Sequence, residues 1–431
     1  MTTVLLSGGL SPVGERLDLR CDPATGLIAA AAPALEPIAG ETVVDCTGKV
    51  LLPGPVEPHA HLDKALSAGR APNPTGDLPG AITAWRAYRP QLDHADILSR
   101  AREAALELVA HGTTTIRSHV DVGDGIGLRG IQAVAQVRDE LRAQGLAELQ
   151  VVALISPPLC GTDGEAMRAL LREAMTAGAD VVGGCPHIEP DPAEATRELV
   201  AIAADLGLPI DLHVDETLDP RILGLRAYAA EVSAAGAAIP GAVAGHCVSL
   251  GVQEPEIQAQ VAAEVRDAGI AVVTLPQTNL YLQSRDRPVS TPRGLTAVKA
   301  LMDAGACVCA GADNVRDPFN AVGRSDALET ASLLVMAAHL SPAEAWHLCS
   351  NAGRQALKLP AVNLAAGDPA EVLAVRGSSL ADAIARSSED RVVVHRGAVV
   401  ATTTVTTTFQ PPAADGSSPP ANLSPTLVPA S

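Results

Sequence analysis

Residues 58–66 read PHAHLDKAL and directly follow the apolar, proline-containing segment VLLPGPVE. In an extended strand, residues i and i+2 lie on the same face, so His59 and His61 are expected to direct both imidazoles to one place. Two neighbouring imidazoles form part of a ligand set for a transition metal. The stretch therefore predicts the end of a buried strand that carries part of a metal site, and other strands must supply the remaining ligands.

Seven further strand-like segments follow, and amphipathic helical patterns lie between them. The predicted strands are residues 51–61, 113–122, 149–156, 180–189, 208–216, 242–250, 270–278 and 306–314. The clearest helical patterns are residues 95–112, 164–178, 191–207 and 254–269. Alternation of this kind is typical of parallel strands joined by crossover helices. It predicts an α/β fold, the (β/α)8 TIM barrel, whose functional side chains lie where the strands end.

The two ends of the chain carry short strand-like runs separated by turn residues, such as TTVLLSGGL and RVVVHRGAVV. We expect residues 1–50 and 359–408 to form one small composite β-sandwich domain, and residues 51–358 to form the barrel. Residues 409–431 are rich in proline, serine and alanine without apolar periodicity, which predicts a disordered tail.

Composition limits the partners. The chain has 431 residues, 47% of them hydrophobic, and a formal net charge of −18, which disfavours nucleic acids and anionic membrane surfaces. No apolar run is long enough to cross a membrane, and the N-terminal residues do not resemble a secretion signal. The eight cysteines lack paired spacing and are expected to be buried thiols. These features favour a cytoplasmic enzyme or binding protein with a small-molecule ligand. They are compatible with a homo-oligomer.

Ligand-type side chains end several predicted strands. Strand one ends in His59 and His61, strand five in His213 and Glu216, strand six in His246, and strand eight in Asp313. In a barrel these ends share one rim. Imidazoles and a carboxylate with an open position describe a hydrolytic site for a divalent transition metal, Zn or Fe(II).

Six segments resemble the cytosine deaminase branch of the amidohydrolase superfamily over residues 50–358: VEPHAHLDKA, RSHVDV, DLHVDE, NLYLQSRD, RGLTAVKALMDAG and GADNVRDPF. The sequence is also similar to the triazine branch that removes alkylamino groups from N-isopropylammelide. The resemblance implies one metal ion per chain. It further implies that His59, His61, His213 and Asp313 are the ligands, that His246 lies beside the metal-bound water, and that Glu216 is the proton shuttle.

These residue types suit a hydrolytic deamination. A metal on neutral imidazoles lowers the pKa of a bound water towards about 7. Asp313 could take the water's proton, Glu216 could protonate a ring nitrogen, and His246 could stabilise the addition product before ammonia leaves. Glu216 could alternatively be a solvated loop charge.

The predicted fourth strand ends in CPHIEP without a lysine, which disfavours a dinuclear site bridged by a carboxylated lysine.

Three positions depart from the cytosine deaminase pattern. Ser156 stands near the place of a glutamine, Asn314 in place of an aspartate, and Phe319 in place of a tryptophan. These side chains are candidate substrate contacts. Because they differ from the family's base-reading residues, we expect cytosine to be a poor substrate relative to another amino-substituted ring.

Five further polar or aromatic residues are candidates for roles at the site. Lys64 could hold a substrate carbonyl or pair with an acid. Asn279 and Gln283 could contact substrate or only make loop hydrogen bonds. Trp85, expected on a loop, could stack on a flat ring, act as a lid, or pack that loop. His119 has no remaining ligand position and is expected to orient a ligand or the catalytic aspartate.

The sequence thus favours a metal-dependent hydrolytic deaminase of a cytosine-, pyrimidine- or pterin-like heterocycle. An amidohydrolase that removes an alkylamine from a triazine-like ring is the alternative. A catalytically silent binding barrel is a remote third interpretation, because such a protein would have no need of the complete set of ligand and acid–base residues.

Overall fold

A computed structural model describes residues 2–409 of the chain. Its central element is a parallel barrel sheet whose strands follow one another in chain order. These strands are β6 Val56–Ala60, β7 Thr115–Val122, β8 Glu148–Ile155, β9 Val181–Gly184, β10 Ile210–Val214, β11 Ala242–His246, β12 Ile270–Thr274 and β13 Val308–Ala310. A bridge between Ala60 and Asp313 brings the last strand back to the first. The predicted barrel is confirmed.

Helices follow the strands around the outside. They are α1 Leu78–Tyr88, α2 His94–Ala110, α3 Arg129–Gln144, α4 Glu165–Thr176, α5 Pro192–Leu206, α6 Gly224–Ala235, α7 Pro255–Asp267, α8 Pro276–Leu282, α9 Val298–Asp303, α10 Ala327–Ala337, α11 Pro342–Cys349, α12 Asn351–Ala356 and α13 Leu380–Arg386. The four strongest helical patterns are found within a few residues of their predicted ends. Helix α5 shows why: Asp191 caps its first turn by accepting from the Glu194 backbone N–H, and Gly207 ends it in the left-handed conformation.

Strands from both chain ends form a second, mixed sheet. They are β1 Val4–Leu10, β2 Arg16–Asp22, β3 Leu27–Ala32, β4 Thr42–Asp45, β5 Lys49–Pro53, β14 Val372–Arg376, β15 Arg391–His395 and β16 Ala398–Thr403. The expected small β domain built from both ends is therefore confirmed. Its strands share one continuous sheet, because β1 pairs with β2 on one side and with β4 and then β5 on the other.

Strand β5 joins the two halves of this end sheet. It pairs in parallel with β1 and antiparallel with β14, where Leu52 lies opposite Leu373. The side chains of Leu6, Leu19 and Val394 belong to the separate apolar core of this sheet. The predicted domain boundaries, residues 50/51 and 358/359, stay a prediction, and the predicted tail lies beyond the described residues except for Phe409.

No helix within residues 2–409 has both the length and the apolar character needed to span a bilayer.

A buried ion pair ties the end sheet to the barrel. Both guanidinium Nη atoms of Arg391 on β15 donate to the carboxylate of Asp326, at 3.0 and 2.7 Å, and Asp326 caps helix α10. Both side chains are at most 1% exposed. Removal of Arg391 leaves the buried Asp326 carboxylate with a single cation, the 42% exposed Arg324, whose Nη2 lies 3.3 Å from Oδ2.

We expect Arg391→Ala to lower the free energy of unfolding by about 3–5 kcal/mol, the usual cost of breaking such a pair. Urea denaturation followed by circular dichroism measures this loss. Arg376→Ala is the matched control, since Arg376 also pairs with an aspartate in the end sheet but is 41% exposed. Equal losses from the two variants would contradict the role of the buried pair.

Candidate metal centre and substrate cavity

The predicted ligand residues come together at the carboxyl ends of the barrel strands. His59 lies in β6, and His61 follows it by two residues. His213 lies in β10, and His246 is the last residue of β11. Asp313 follows β13 and bridges to β6. Adjacent parallel strands of a barrel bring side chains that are distant in sequence to one rim.

Three imidazole nitrogens and one carboxylate converge. His213 Nε2 lies 3.1 Å from His59 Nε2 and 3.2 Å from His61 Nε2. Asp313 Oδ1 lies 3.2 Å from His61 Nε2 and 3.9 Å from His59 Nε2. The glycine before His246 permits part of this approach, because a Cβ on Gly245 would lie 2.7 Å from His59 Cε1.

The electrostatics of the cluster fit a cation. Burial, together with the neighbouring basic groups, lowers the pKa of His59, His61 and His213 well below the usual value, so these imidazoles are neutral. Within the described residues, neither oxygen of Asp313 has a hydrogen-bond partner, although both are buried. A buried carboxylate left without partners is costly, and a divalent ion among these atoms would satisfy it.

Two residues at the site, His246 and the proposed ligand Asp313, have unusual backbone conformations. His246 and Asp313 adopt φ angles of 69° and 68°, the left-handed region that side chains other than glycine rarely occupy. Such conformations cost energy and cluster at functional sites. Here they bring the His246 imidazole and the Asp313 carboxylate over the same rim, with His246 Nε2 3.9 Å from Asp313 Oδ2.

Glu216 lies beside this cluster rather than in it. It is buried, and its Oε1 is 3.6 Å from His246 Nδ1. Burial raises the pKa of Glu216 to about 8. The predicted alternative, a solvated loop charge, does not agree with this burial. A buried carboxyl with a raised pKa next to a ligand cluster is suited to carrying a proton.

Asn279 fixes the orientation of His246. Its Nδ2 donates to the Gly294 carbonyl at 3.0 Å, which leaves its Oδ1 facing His246 Nδ1 at 3.0 Å. His246 Nδ1 therefore carries the hydrogen, and its buried Nε2, without a partner among the described residues, faces the ligand cluster as an acceptor. Asn279 is fully buried in α8, behind the ligand cluster, so the structure places it as a support for His246.

The cavity above the cluster is lined by side chains from α1 and from several strand ends. Apolar and aromatic groups form one part of its wall, and polar groups converge on the other. The apolar part includes Leu78, Ile82, Trp85, Leu154, Ile155, Ile188 and Phe319. The polar part includes His61, Lys64, Arg86, Arg89, Asp121, Ser156, His187, His213, Glu216, His246, Asp313 and Asn314. An apolar cavity with a few convergent polar groups is typical of a small-molecule site.

Most of the predicted substrate contacts reach this cavity. Lys64, Ser156, Asn314, Phe319 and Trp85 line it. Asn314 is held from behind, because its Nδ2 donates to Asp317 and its Oδ1 accepts from Thr278. Gln283 instead lies in an adjoining surface cleft, where its Nε2 is 3.4 Å from the Glu216 carbonyl.

The prediction that Trp85 lies on a loop is wrong. It lies in helix α1, is 2% exposed, and donates from Nε1 to Asp121 Oδ2 at 2.7 Å. The apolar periodicity of α1 is easily missed, because only Ala81 and Trp85 of this helix are buried, while Leu78 and Ile82 line the cavity. Lys64 also pairs with an acid: its Nζ lies 2.7 Å from Asp121 Oδ1.

Two further histidines lie near the ligands. The ring centroid of His119 is 4.0 Å from that of His59, and its Nε2 is 3.6 Å from Asp211 Oδ1. His187 lines the cavity, and its Nδ1 donates to the His213 carbonyl at 3.2 Å. His187 thus contacts the backbone of a ligand residue, whereas neither ring nitrogen of His119 has a hydrogen-bond partner among the described residues, and its orienting role stays a prediction.

The sequence-based prediction did not identify Asp121 and Arg89 as site residues. Asp121 follows His119 by two residues and so shares its face of β7, which is the signal that could have found it. Arg89 lies in the short turn after α1 and reaches Ser156 Oγ at 3.2 Å. No pattern in the sequence connects that turn to the end of β8.

Comparisons with known proteins agree with this fold. The profile of the amidohydrolase family matches residues 86–403. A pterin deaminase of Rhizobium rhizogenes is 34% identical over 388 residues, which cover 87% of this chain and 86% of that protein.

Two solved structures of hydrolases that act on similar rings also resemble this chain. The 5-methylcytosine deaminase of Klebsiella pneumoniae is 27% identical with a TM-score of 0.83, covering 95% of this chain and 100% of that one. The N-isopropylammelide isopropylaminohydrolase of Burkholderia multivorans is 30% identical with a TM-score of 0.78, covering 93% and 99%.

The chain therefore belongs to the amidohydrolase family, as its sequence motifs indicated. The predicted enzyme class, a hydrolase of carbon–nitrogen bonds other than peptide bonds in cyclic amidines, is confirmed. The family depends on a metal, in agreement with the His/Asp cluster at the rim of the barrel.

Proposed function

We propose that this protein is a metal-dependent hydrolytic deaminase of a flat, amino-substituted N-heterocycle. One observation carries the proposal: a buried carboxyl group that can hold a proton, Glu216, opens into the same cavity as a neutral His/Asp ligand cluster. Hydrolysis of a cyclic amidine needs an activated water on one side of the ring carbon and a proton donor on the ring nitrogen.

His59, His61, His213 and Asp313 would hold the metal, and we propose one ion per chain, Zn or Fe(II). The absence of a lysine at the end of β9, where the chain reads GGCPHIE, supports a single ion. When bound, the ion would lower the pKa of a water and so supply the nucleophile.

The chain's own residues then manage the protons. Glu216 delivers one proton to the ring nitrogen as the water oxygen bonds to the adjacent amidine carbon. Asp313 Oδ2, buried and without a partner among the described residues, receives the proton that the water gives up. When the carbon–nitrogen bond to the exocyclic amine breaks, Asp313 gives its proton to the leaving nitrogen and the added hydroxyl gives its proton to Glu216, so both carboxyl groups return to their starting states. The products are a ring carbonyl and ammonia.

His246 stabilises the added oxygen. The hydrogen bond between its Nδ1 and Asn279 Oδ1 fixes the ring, and burial lowers the pKa of His246 to about 3. The imidazole is therefore neutral and directs Nε2 at the ligand cluster as an acceptor. In this tautomer it can accept a hydrogen bond from the hydroxyl of the addition product.

For the ring itself, we propose a pterin-type substrate. Support comes from the pterin deaminase that is 34% identical over most of both chains, and from the aromatic side chains of Trp85 and Phe319 in the cavity lining. Cytosine is less favoured, because Ser156 and Asn314 differ from the cytosine deaminase pattern. The alternative function, removal of an alkylamine from a triazine-like ring, is supported by the likeness to the isopropylaminohydrolase.

Ammonia release from zinc- or iron-loaded protein tests the proposal. We expect a pterin to be deaminated with kcat/KM above about 10⁴ M⁻¹s⁻¹, a value typical of an enzyme on its own substrate, and cytosine at least about 10-fold more slowly. A chelator-treated sample is the control. Isopropylamine release from N-isopropylammelide without ammonia from any aminoheterocycle would favour the alternative, and metal-loaded protein inactive on every ring would indicate a silent barrel.

A further inference from the structure

The barrel closes along a seam between β6 and residues 308–313, and this seam carries two of the proposed metal ligands. His59 lies in β6, and Asp313 lies just beyond the end of β13. Within residues 2–409, no ladder pairs β6 with β13, and a single bridge between Ala60 and Asp313 connects their segments. Strand β6 also departs from regular pairing with β7 between Glu57 and Ala60. The backbone at the seam therefore depends on contacts other than strand pairing to hold the two ligands in place.

The side chain of Glu57 supplies such a contact. Its Oε1 accepts from the His59 backbone N–H at 3.1 Å, and its Oε2 accepts from the Ala312 backbone N–H at 2.8 Å. Buried backbone N–H groups need a partner, and here one side chain satisfies a group on each side of the seam. Glu57 therefore links a ligand residue, His59, to the residue that directly precedes another ligand, Asp313.

Gly311 gives the Glu57 carboxyl group its place. A Cβ at position 311 would lie 2.3 Å from Glu57 Oε1, closer than real side-chain atoms approach. The carboxyl group therefore lies directly against the backbone that leads to Asp313. On the opposite side, the Gly311 N–H donates to the Thr274 carbonyl at the end of β12, at 3.1 Å. The segment before Asp313 is thus held from both neighbouring strands.

Glu57 is kept in these surroundings at an energetic cost. The residue is 5% exposed, and burial raises the pKa of its carboxyl group to about 8 against the effect of the N–H donors. Ionisable groups are rarely buried in this way unless a specific role requires them. The role that its contacts indicate does not depend on charge, because it requires two acceptor oxygens on one side chain.

We propose that Glu57 is a positioning residue of the metal centre, which fixes the backbones of His59 and Asp313 relative to each other across the seam. This inference rests on the proposed ligand set and goes beyond the proposed function, because it holds whatever ring the enzyme hydrolyses. Glu57 acts through the backbone of the ligand segments rather than through a ligand side chain. His59 Nε2 and Asp313 Oδ1, which lie 3.9 Å apart, depend on this contact to stay at a distance that one ion can bridge.

Zinc affinity and the visible spectrum of cobalt-loaded protein test the inference. Glu57→Gln keeps the shape of the side chain but replaces one acceptor oxygen with an NH2 group, so one of the two backbone N–H groups loses its partner. We expect zinc affinity, measured by competition with a chelator, to fall by about 10–100-fold, the usual effect of losing a contact that orients a ligand. The absorption bands of bound Co(II), which report ligand geometry, should shift in the same variant.

Glu371→Gln is the matched control, because it separates metal positioning from folding. Glu371 is also a buried glutamate, 6% exposed, whose two oxygens join separate segments. Its Oε1 accepts from the Arg396 backbone N–H at 3.2 Å, and its Oε2 accepts from Thr114 Oγ1 at 2.9 Å. These contacts connect the end sheet to the start of β7 instead of the ligand-bearing seam. We expect Glu371→Gln to lose stability while keeping the wild-type zinc affinity and cobalt spectrum.

Gly311→Ala tests the same contact from its other side. The added methyl group would displace the Glu57 carboxyl group, so zinc affinity should fall by about 10-fold or more. Gly69→Ala is the control for this variant, since an added Cβ at position 69 meets nothing within 4 Å and should leave zinc affinity unchanged.

Wild-type zinc affinity and cobalt spectrum in a folded Glu57→Gln protein, or an equal loss of affinity in Glu371→Gln, would overturn the inference. If Glu57→Gln does not fold, unchanged zinc affinity in Gly311→Ala would overturn it. Metal retained by His61→Ala would instead contradict the ligand set on which the inference rests. Absence of ammonia release from metal-loaded wild-type protein would contradict the deaminase proposal and leave the role of Glu57 in metal binding standing.

Discussion

His61→Ala and His213→Ala proteins are expected to lose both bound metal and detectable turnover. Each substitution removes a neutral imidazole whose Nε2 lies 3.2 Å from that of the other, at the centre of the ligand cluster. A divalent transition metal bound by few protein ligands cannot lose one without a large fall in affinity. Metal analysis after desalting, combined with an ammonia-release assay, measures both effects.

The matched control for this prediction is His347→Ala. His347 lies exposed on α11 and should keep full metal content and activity when replaced. Wild-type metal content in His61→Ala or His213→Ala would show that the ligand set is wrong. Two ions per chain in the wild type would show that the single-ion proposal is wrong.

Glu216→Gln is expected to keep the metal and to lose activity by about 10²–10⁴-fold, the usual contribution of a general acid–base group. Glutamine has nearly the same shape, so the cavity should stay intact, but the amide cannot release a proton to the ring nitrogen. The measurement is kcat on the best substrate of the ring panel, alongside metal analysis of the same sample.

Glu189→Gln serves as the control for Glu216→Gln. Glu189 is also buried, and burial also raises the pKa of its carboxyl group, but it lies in a neighbouring groove outside the central cavity. We expect its replacement to leave kcat close to the wild-type value. A fully active Glu216→Gln enzyme would remove the proton shuttle from the mechanism.

The sequence predicted those parts of the site that follow from strand periodicity. His59 and His61 share a strand face, and His213, His246 and Asp313 each end a strand that β-branched residues make recognisable. The barrel rule then places these strand ends at one rim, so the cluster follows without coordinates.

The positions of the other site residues depend on contacts between segments that no local sequence pattern connects. The sequence leaves Asn279 either a substrate contact or a loop hydrogen-bonding residue, whereas in the structure it lies in a short helix and its amide accepts from His246 Nδ1. Arg89 reaches Ser156 across the cavity from the turn after α1, a helix whose apolar face covers a ligand space. Such long-range pairings arise from tertiary packing, which outweighs local propensity.

Strand β5 has a consequence for synthesis of the chain. Its partner β14 begins at Val372, so about 320 residues separate the two strands. At about 5–20 residues per second, ribosomal elongation would leave this edge of β5 unpaired for roughly 16–64 s. Nascent chains would therefore pass through a stage with an exposed apolar strand edge, the kind of surface on which chaperones act.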